Sequence, residues 1–123
     1  MYGGNDKFSI ISKMLIAVKN NKELTIANNG NAVRDFIHVQ DVANIYSKLI
    51  DVKNINFLNI GTGLSKSIKH IILTFKKYNA DLIANNISLD EINTSTANVE
   101  ILNKLIKKQS FIEIENFIKQ ESS

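Results

Sequence analysis

The chain has 123 residues, 44% hydrophobic and 22% charged, with a net charge of +3; that length suits one domain over residues 1–123 with a real buried core. It has no cysteine and only two histidines, His38 and His70, which excludes disulfides and thiolate metal sites and leaves too few imidazoles for a histidine metal cluster. No apolar run approaches the roughly 20 residues that span a bilayer, MYGGNDKFSII lacks the basic and then apolar regions of a secretory signal, and the lysines are dispersed, so neither a membrane nor a nucleic-acid partner is expected and the cytoplasm is the expected location.

In chain order, Ile10, Ile11, Met14, Leu15 and Val18 recur at helical spacing behind Ser9, a suitable N-cap, and Lys19 to Lys22 close the segment. Glu23–Ala27 (ELTIA) and Ala32–Val39 (AVRDFIHV) are β-favouring runs separated by Asn28, Asn29, Gly30 and Asn31. Asn-Gly tolerates positive φ at both positions, so these runs are expected as a β-hairpin or a pair of neighbouring strands. A second helix should carry Val42, Ile45, Tyr46, Leu49 and Ile50 on one face, with Asp41 complementing the dipole in its first turn. Phe57–Ile60 then reads as a short strand that stops at Gly61-Thr62-Gly63, and Ser65 or Ser67 can cap a helix bearing Ile68, Ile71, Ile72, Phe75 and Tyr78. Asp81–Ala84 is a further strand candidate. Val99, Leu102, Leu105 and Ile106 suggest one more helix, and Ile114, Phe117 and Ile118 a last one. Short strands interleaved with about five helices give an α/β class.

Three features invite a chemical reading. Gly61-x-Gly63 between strand and helix could cradle a phosphate at a helix N-terminus, but a dinucleotide fingerprint needs a third glycine where Lys66 stands, so a plain turn is the stronger reading. His38 could act as a general base, yet no carboxylate or serine is spaced to complete a triad, and a structural histidine bonded to main chain near the helix start fits better. His70 reads as solvent-exposed. Arg34 offers a planar fork of donors that matches a phosphate; its competing use is a surface ion pair with Asp35 or another acid.

RDFIHVQDVANIY followed by FLNIGTG resembles the C-terminal half of the extended short-chain dehydrogenase/reductase family, the NAD-dependent sugar-nucleotide epimerases and dehydratases. Met1-Tyr2-Gly3 resembles that family's "VYG" strand end, Glu23–Gly30 its "plxIxGdG" strand and turn, and Asp90–Ser95 its "GEIxxS" segment; NIGTG is most similar to the UDP-glucose 4-epimerase type. The resemblance implies that Arg34 binds the pyrophosphate of a nucleotide-sugar of UDP type, that Phe36 lies beside the substrate, that Thr25 and Ala27 line the base, and that Ile68 closes the pocket over the nucleoside. It implies structural roles for Asp35 at the strand and Asp41 at the helix start. Ser88 stands where the family usually has a second phosphate-binding arginine, and Ala27 where an aromatic often stacks on the base.

The resemblance also implies NAD as cofactor of an intact family member, held by a G-x-x-G-x-x-G loop and served by a Tyr-x-x-x-Lys pair. Both belong to the family's N-terminal, Rossmann cofactor half. None of Tyr2, Tyr46 and Tyr78 has lysine four residues on, so no bound cofactor and no catalysis are expected of this chain alone. Two functions follow from that reading: the substrate-binding portion of a truncated or split epimerase or dehydratase, working with a companion chain that carries the cofactor half, or a non-catalytic remnant that pairs with such a chain or with itself. In either case FLNI, an edge or near-edge strand in the intact fold, is left with unpaired main chain and an apolar face.

Overall fold

The computed structural model describes residues 1–79, 81–107 and 110–123, and over these the chain is a mixed α/β fold with five α-helices and five short strands. Helix α1 spans Ile10–Lys19 and is capped as its spacing predicts, Ser9 Oγ accepting from the Ser12 amide at 3.2 Å. The Asp6 carboxylate adds acceptors for the amides of Phe8 and Ser9 at 2.9 and 2.6 Å. Strands β1 (Leu24–Ala27) and β2 (Val33–Asp35) follow, joined by a 3-10 turn over Asn28–Gly30.

These two strands are not a hairpin, contrary to the Asn-Gly signal. β1 pairs in parallel with β4 (Ala84–Ile87), Leu24 facing Ala84, whereas β2 is the centre of a second sheet between antiparallel β3 (Ser65–Ser67) and parallel β5 (Thr94–Ser95). A two-residue reversal needs two successive positive φ angles; here Asn28, Asn29 and Gly30 have φ of 48°, 56° and 70°, and the extra turn carries the chain out of the first sheet. The asparagine amides are spent elsewhere. Asn28 Nδ2 donates to the Leu89 carbonyl at 2.6 Å, the Leu89 amide returns a bond to Asn28 Oδ1 at 3.1 Å, and the Asn29 amide donates to Asn86 Oδ1 at 2.6 Å.

The run expected as one strand from Ala32 to Val39 is a strand only to Asp35, because His38 turns it into helix α2 (Val39–Leu49) by accepting the Gln40 amide on Nδ1 at 3.0 Å. On α2 Ile45 is buried, but Tyr46 and Ile50, assigned to the same inner face, are 62% and 81% exposed. Phe57–Ile60 joins no sheet. Leu58 and Ile60 pack on the cluster of Ile37, Ile45 and Leu102, while Phe57 stands out in solvent; an apolar run becomes a strand only where another strand offers a ladder.

Helix α3 (Ile68–Tyr78) starts at Ser67, whose Oγ accepts from the His70 amide at 3.1 Å. β4 lies three residues beyond its expected position, since Leu82 is committed to the core and the chain reaches β1 only at Ala84. β5 falls in a polar stretch with no apolar period to mark it. Helices α4 (Glu100–Leu105) and α5 (Ile114–Glu121) match the expected spacings.

The larger core joins Ile11 and Met14 of α1, Leu24 of β1, Ile71 and Phe75 of α3, and Ile114 and Ile118 of α5 around Tyr2. Tyr2 also ties the two ends of the chain together. Its amide donates to the Ile37 carbonyl at 2.9 Å, its carbonyl accepts from Val39 at 2.8 Å, and its hydroxyl donates to the Ile112 carbonyl at 2.6 Å. Burial, and after it the charge of Asp41, pushes the phenol pKa upward. The buried Asp41 carboxylate accepts the Ile112 amide at 2.9 Å, so the start of α2 holds the approach to α5 by a charge-assisted bond.

α5 is fastened to β3 and α3 through Glu115, whose Oε1 meets Lys66 Nζ and, at 2.8 Å, His70 Nε2. Burial alone would raise this carboxyl, but the hydrogen bonds from Lys66 and His70 outweigh it and hold the pKa at about 2 rather than the ordinary 4.5. A depressed carboxyl stabilises the fold fully above its unfolded pKa and loses that contribution as the pH drops through its folded one. Urea midpoints should therefore fall between pH 4.5 and 2 more steeply in the wild type than in Glu115→Gln; parallel pH profiles would remove Glu115 from acid stability.

Candidate functional site

β2 places Arg34 at the middle of the three-stranded sheet, opposite Lys66 on one side and Ser95 on the other. Glu115 and Glu113 balance the Lys66 ammonium, the latter at 3.6 Å, so two adjacent cations do not repel across the ladder unrelieved. In β1, period-two alternation buries Leu24 and Ile26 and leaves Thr25 and Ala27 on the other face. Ile68 is the first residue of α3, and Phe36 lies two residues beyond Arg34. All five of these residues line one cleft of about 420 Å³. A second cleft, of about 580 Å³, meets it at Met1, Arg34 and Asp35.

The guanidinium is held by main chain only. Its Nη1 donates to the Val33 carbonyl at 2.9 Å and to the Asn93 carbonyl at 3.4 Å, and among the described residues it forms no ion pair and has no partner for Nε or Nη2. The ion pair with Asp35 that competes with an anion-binding role is absent, for a reason visible in Asp35. Its carboxylate accepts from Thr62 N at 3.1 Å, Thr62 Oγ1 at 2.6 Å, Gly63 N at 2.9 Å and Ala97 N at 3.3 Å.

Those contacts also explain the Gly61-Thr62-Gly63 turn. A Cβ on Gly61 would lie 2.8 Å from Asp35 Oδ2, and one on Gly63, at φ 74°, would lie 2.7 Å from Val99 Cγ2. The glycines permit close packing of chain on chain, and the turn's amide donors are consumed by Asp35. The turn therefore does not fit a dinucleotide phosphate, which needs those amides unspent. His38 is structural too: besides capping α2, its ring meets Tyr2 edge-on at 5.1 Å and Phe117 at 5.5 Å. Among the described residues no group of three or more His, Asp or Glu is placed to hold a metal ion, and no helix is long and apolar enough to cross a membrane.

Two contributors to the cleft were not singled out from the sequence. Glu91 lines it, in a segment that the Asn28–Leu89 amide clasp holds down two residues earlier, and Ser9 brings the capped start of α1 to its edge. Asn28 carried the available signal, as a non-glycine residue in a left-handed turn with a side-chain amide to spend. Ser88 is exposed and does not line the cleft.

Asp35→Asn replaces one acceptor oxygen by an NH2 group facing amide donors. It should lower the unfolding free energy by about 1.5–3 kcal/mol, the usual value of a hydrogen bond to a charged group, as read from urea denaturation at neutral pH. An unchanged midpoint would mean that the carboxylate does not hold the turn.

Residues 1–61 match the model of the NAD dependent epimerase/dehydratase family. No curated protein matches the sequence. Among solved structures, an NAD-dependent NDP-hexosamine 5,6-dehydratase involved in tunicamycin biosynthesis superposes with a TM-score of 0.89 at 21% identity, over 98% of this chain and 41% of that one. The UDP-N-acetylglucosamine 4-epimerase of Methanobrevibacter ruminantium, solved with UDP-N-acetylmuramic acid, gives 0.78 at 22% identity over 96% and 39%. The UDP-glucose 4-epimerase of Thermotoga maritima, solved with UDP-glucose, gives 0.80 at 19% over 98% and 41%. The chain thus spans about two-fifths of the solved chains whose fold it shares.

Proposed function

We propose that residues 1–123, of which 1–61 match the NAD dependent epimerase/dehydratase family, act as one substrate-binding domain for a nucleotide-sugar, in the cytoplasm and without catalysis of their own. The observation that carries this reading is the convergence of Arg34, Phe36, Thr25, Ala27 and Ile68, from four separate elements and loops, on a single cleft. A diphosphate takes the unspent Nε and Nη2 donors of Arg34. The nucleoside lies against Thr25, Ala27 and Ile68, Phe36 flanks it, and the Glu91 carboxylate is an acceptor for sugar hydroxyls. Proteins of related fold have been solved with UDP-sugars bound, which favours a UDP-type ligand.

Chemistry is assigned elsewhere. Some of the solved relatives hold NAD, but the glycine turn of this chain spends its amides on Asp35, and the only buried tyrosine hydroxyl among the described residues donates to the Ile112 carbonyl rather than facing the cleft. What the chain supplies to a reaction is position. Gripping the remote diphosphate fixes the reacting sugar carbon, and such binding energy lowers the barrier to chemistry performed by groups on another part of the enzyme.

Titration calorimetry with UDP and UDP-glucose tests this directly. Both ligands should bind, and Arg34→Ala should weaken both by about 10- to 100-fold, the equivalent of one charge-assisted contact, while leaving any binding of uridine unchanged. Absence of heat with UDP, or equal affinity in the variant, would overturn the assignment.

A further inference from the structure

Asn29-Gly30 is the only asparagine–glycine pair in the chain. Glycine has no Cβ, so its nitrogen is the least obstructed when it turns on the preceding carboxamide, and asparagine is among the thermolabile side chains. Asn29 is exposed, and its carboxamide has no hydrogen bond to any described residue, whereas Asn28 spends its own on Leu89. A free carboxamide and an unhindered next nitrogen thus stand side by side, in a turn whose hairpin chemistry the fold does not use.

The fold holds the two groups apart. A five-membered imide closes only when the Gly30 nitrogen lies on the same side of the Asn29 Cα–C bond as Cβ. At the observed ψ of 19° it lies nearly opposite. The peptide plane is rigid, so rotation about ψ must bring them together, and three contacts oppose it. The Asn29 amide donates to Asn86 Oδ1 at 2.6 Å. The Asn28 carboxamide is bonded to Leu89 in both directions. Gly30 is buried so close to the first turn of α3 that a Cβ on it would lie 2.8 Å from the Lys69 nitrogen.

We propose that Asn29 is a latent deamidation site, locked by the Asn28 and Asn86 side chains and converted to aspartate and isoaspartate whenever that clasp opens. The Gly30 nitrogen loses its proton and bonds to Asn29 Cγ, the Cγ–Nδ2 bond breaks, and Nδ2 leaves as ammonia. Water then opens the cyclic imide at either carbonyl. The isoaspartate product routes the main chain through Cβ and Cγ. It therefore adds a methylene between Ala27 and Ala32, both of which line the Arg34 cleft. The lock guards that wall whatever ligand the cleft takes.

Mass spectrometry of the tryptic peptide Glu23–Arg34 after incubation in mildly alkaline buffer tests the lock. Conversion at Asn29 should be at least about tenfold slower in the folded chain than in urea, since only locally opened molecules react. Asn28→Gly keeps the left-handed turn and removes the clasp, and Asn86→Ala removes the acceptor of the Asn29 amide. Each should speed conversion of the folded chain about tenfold, the change in an opening equilibrium when one or two hydrogen bonds are lost. Asp35→Asn, which loosens the other sheet, should leave the rate at the wild-type level. Circular dichroism establishes that each variant is folded. Equal rates in the folded and unfolded wild type overturn the proposal, as do folded Asn28→Gly and Asn86→Ala chains that convert no faster than wild type. It is also overturned by conversion at Asn28 or Asn31 in place of Asn29, or by an equal acceleration in Asp35→Asn, which would assign the reaction to global unfolding.

Discussion

One carboxylate decides the chemistry of the central sheet. Asp35 collects donors from two separate segments, Thr62–Gly63 and Ala97, and so brings the glycine turn and the strand leading to α4 against β2. Had Asp35 paired with its neighbour Arg34 instead, the gain would have been that of a half-exposed ion pair, roughly 0–1 kcal/mol. Each main-chain donor to a charged acceptor is worth about 1.5–3 kcal/mol, so the turn wins the carboxylate. The guanidinium next to it is left without a counter-ion.

That outcome gives the cleft its character. Arg34 is neither free nor satisfied: two carbonyls, of Val33 and Asn93, fix Nη1 and hence the plane of the fork, and the remaining donors stay unspent. A side chain already immobilised loses little further entropy when an anion arrives, which is the usual source of affinity in a preorganised site. The walls are set just as locally. Alternation along β1 turns Thr25 and Ala27 outward because Leu24 and Ile26 are needed in the core, and the Asn28–Leu89 clasp brings the Glu91 segment across from the second sheet.

The parts of the fold that could be read in the sequence are those fixed by near neighbours. Ser9, His38 and Ser67 each stand at a helix start and each accept an amide within the next three residues, and most of the apolar positions that mark α1, α3, α4 and α5 face this chain's own core, Tyr78 and Leu105 being exposed. The grouping of Arg34, Phe36, Thr25, Ala27 and Ile68 is different: these residues are distant in sequence, no local spacing marks them as neighbours, and only the family resemblance implied that they meet. What could not be read depends on partners distant in sequence. The Asn-Gly turn has hairpin chemistry, yet β1 pairs with a strand 60 residues on, Leu24 with Ala84. β5 has no apolar period because its pairing with β2 is main chain alone, and Glu91 enters the cleft through a clasp that only the folded chain brings together.

Tyr46, Ile50 and Phe57 misled for a related reason. Their neighbours Val42, Ile45, Leu49, Leu58 and Ile60 fill the small core, and these three side chains stand 62%, 81% and 89% exposed outside it. A fold that superposes at a TM-score of 0.89 on two-fifths of a larger chain keeps every element whose contacts lie inside that portion. Phe57–Ile60, by contrast, joins no sheet among the described residues. The Arg34 cleft falls in the first class: β1, β2, α1, α3 and the segment after β4 build it, and each is capped, paired or clasped by residues of this chain. The contacts that shape this cleft are therefore local and already made, and its lining shares Met1, Arg34 and Asp35 with the neighbouring cleft.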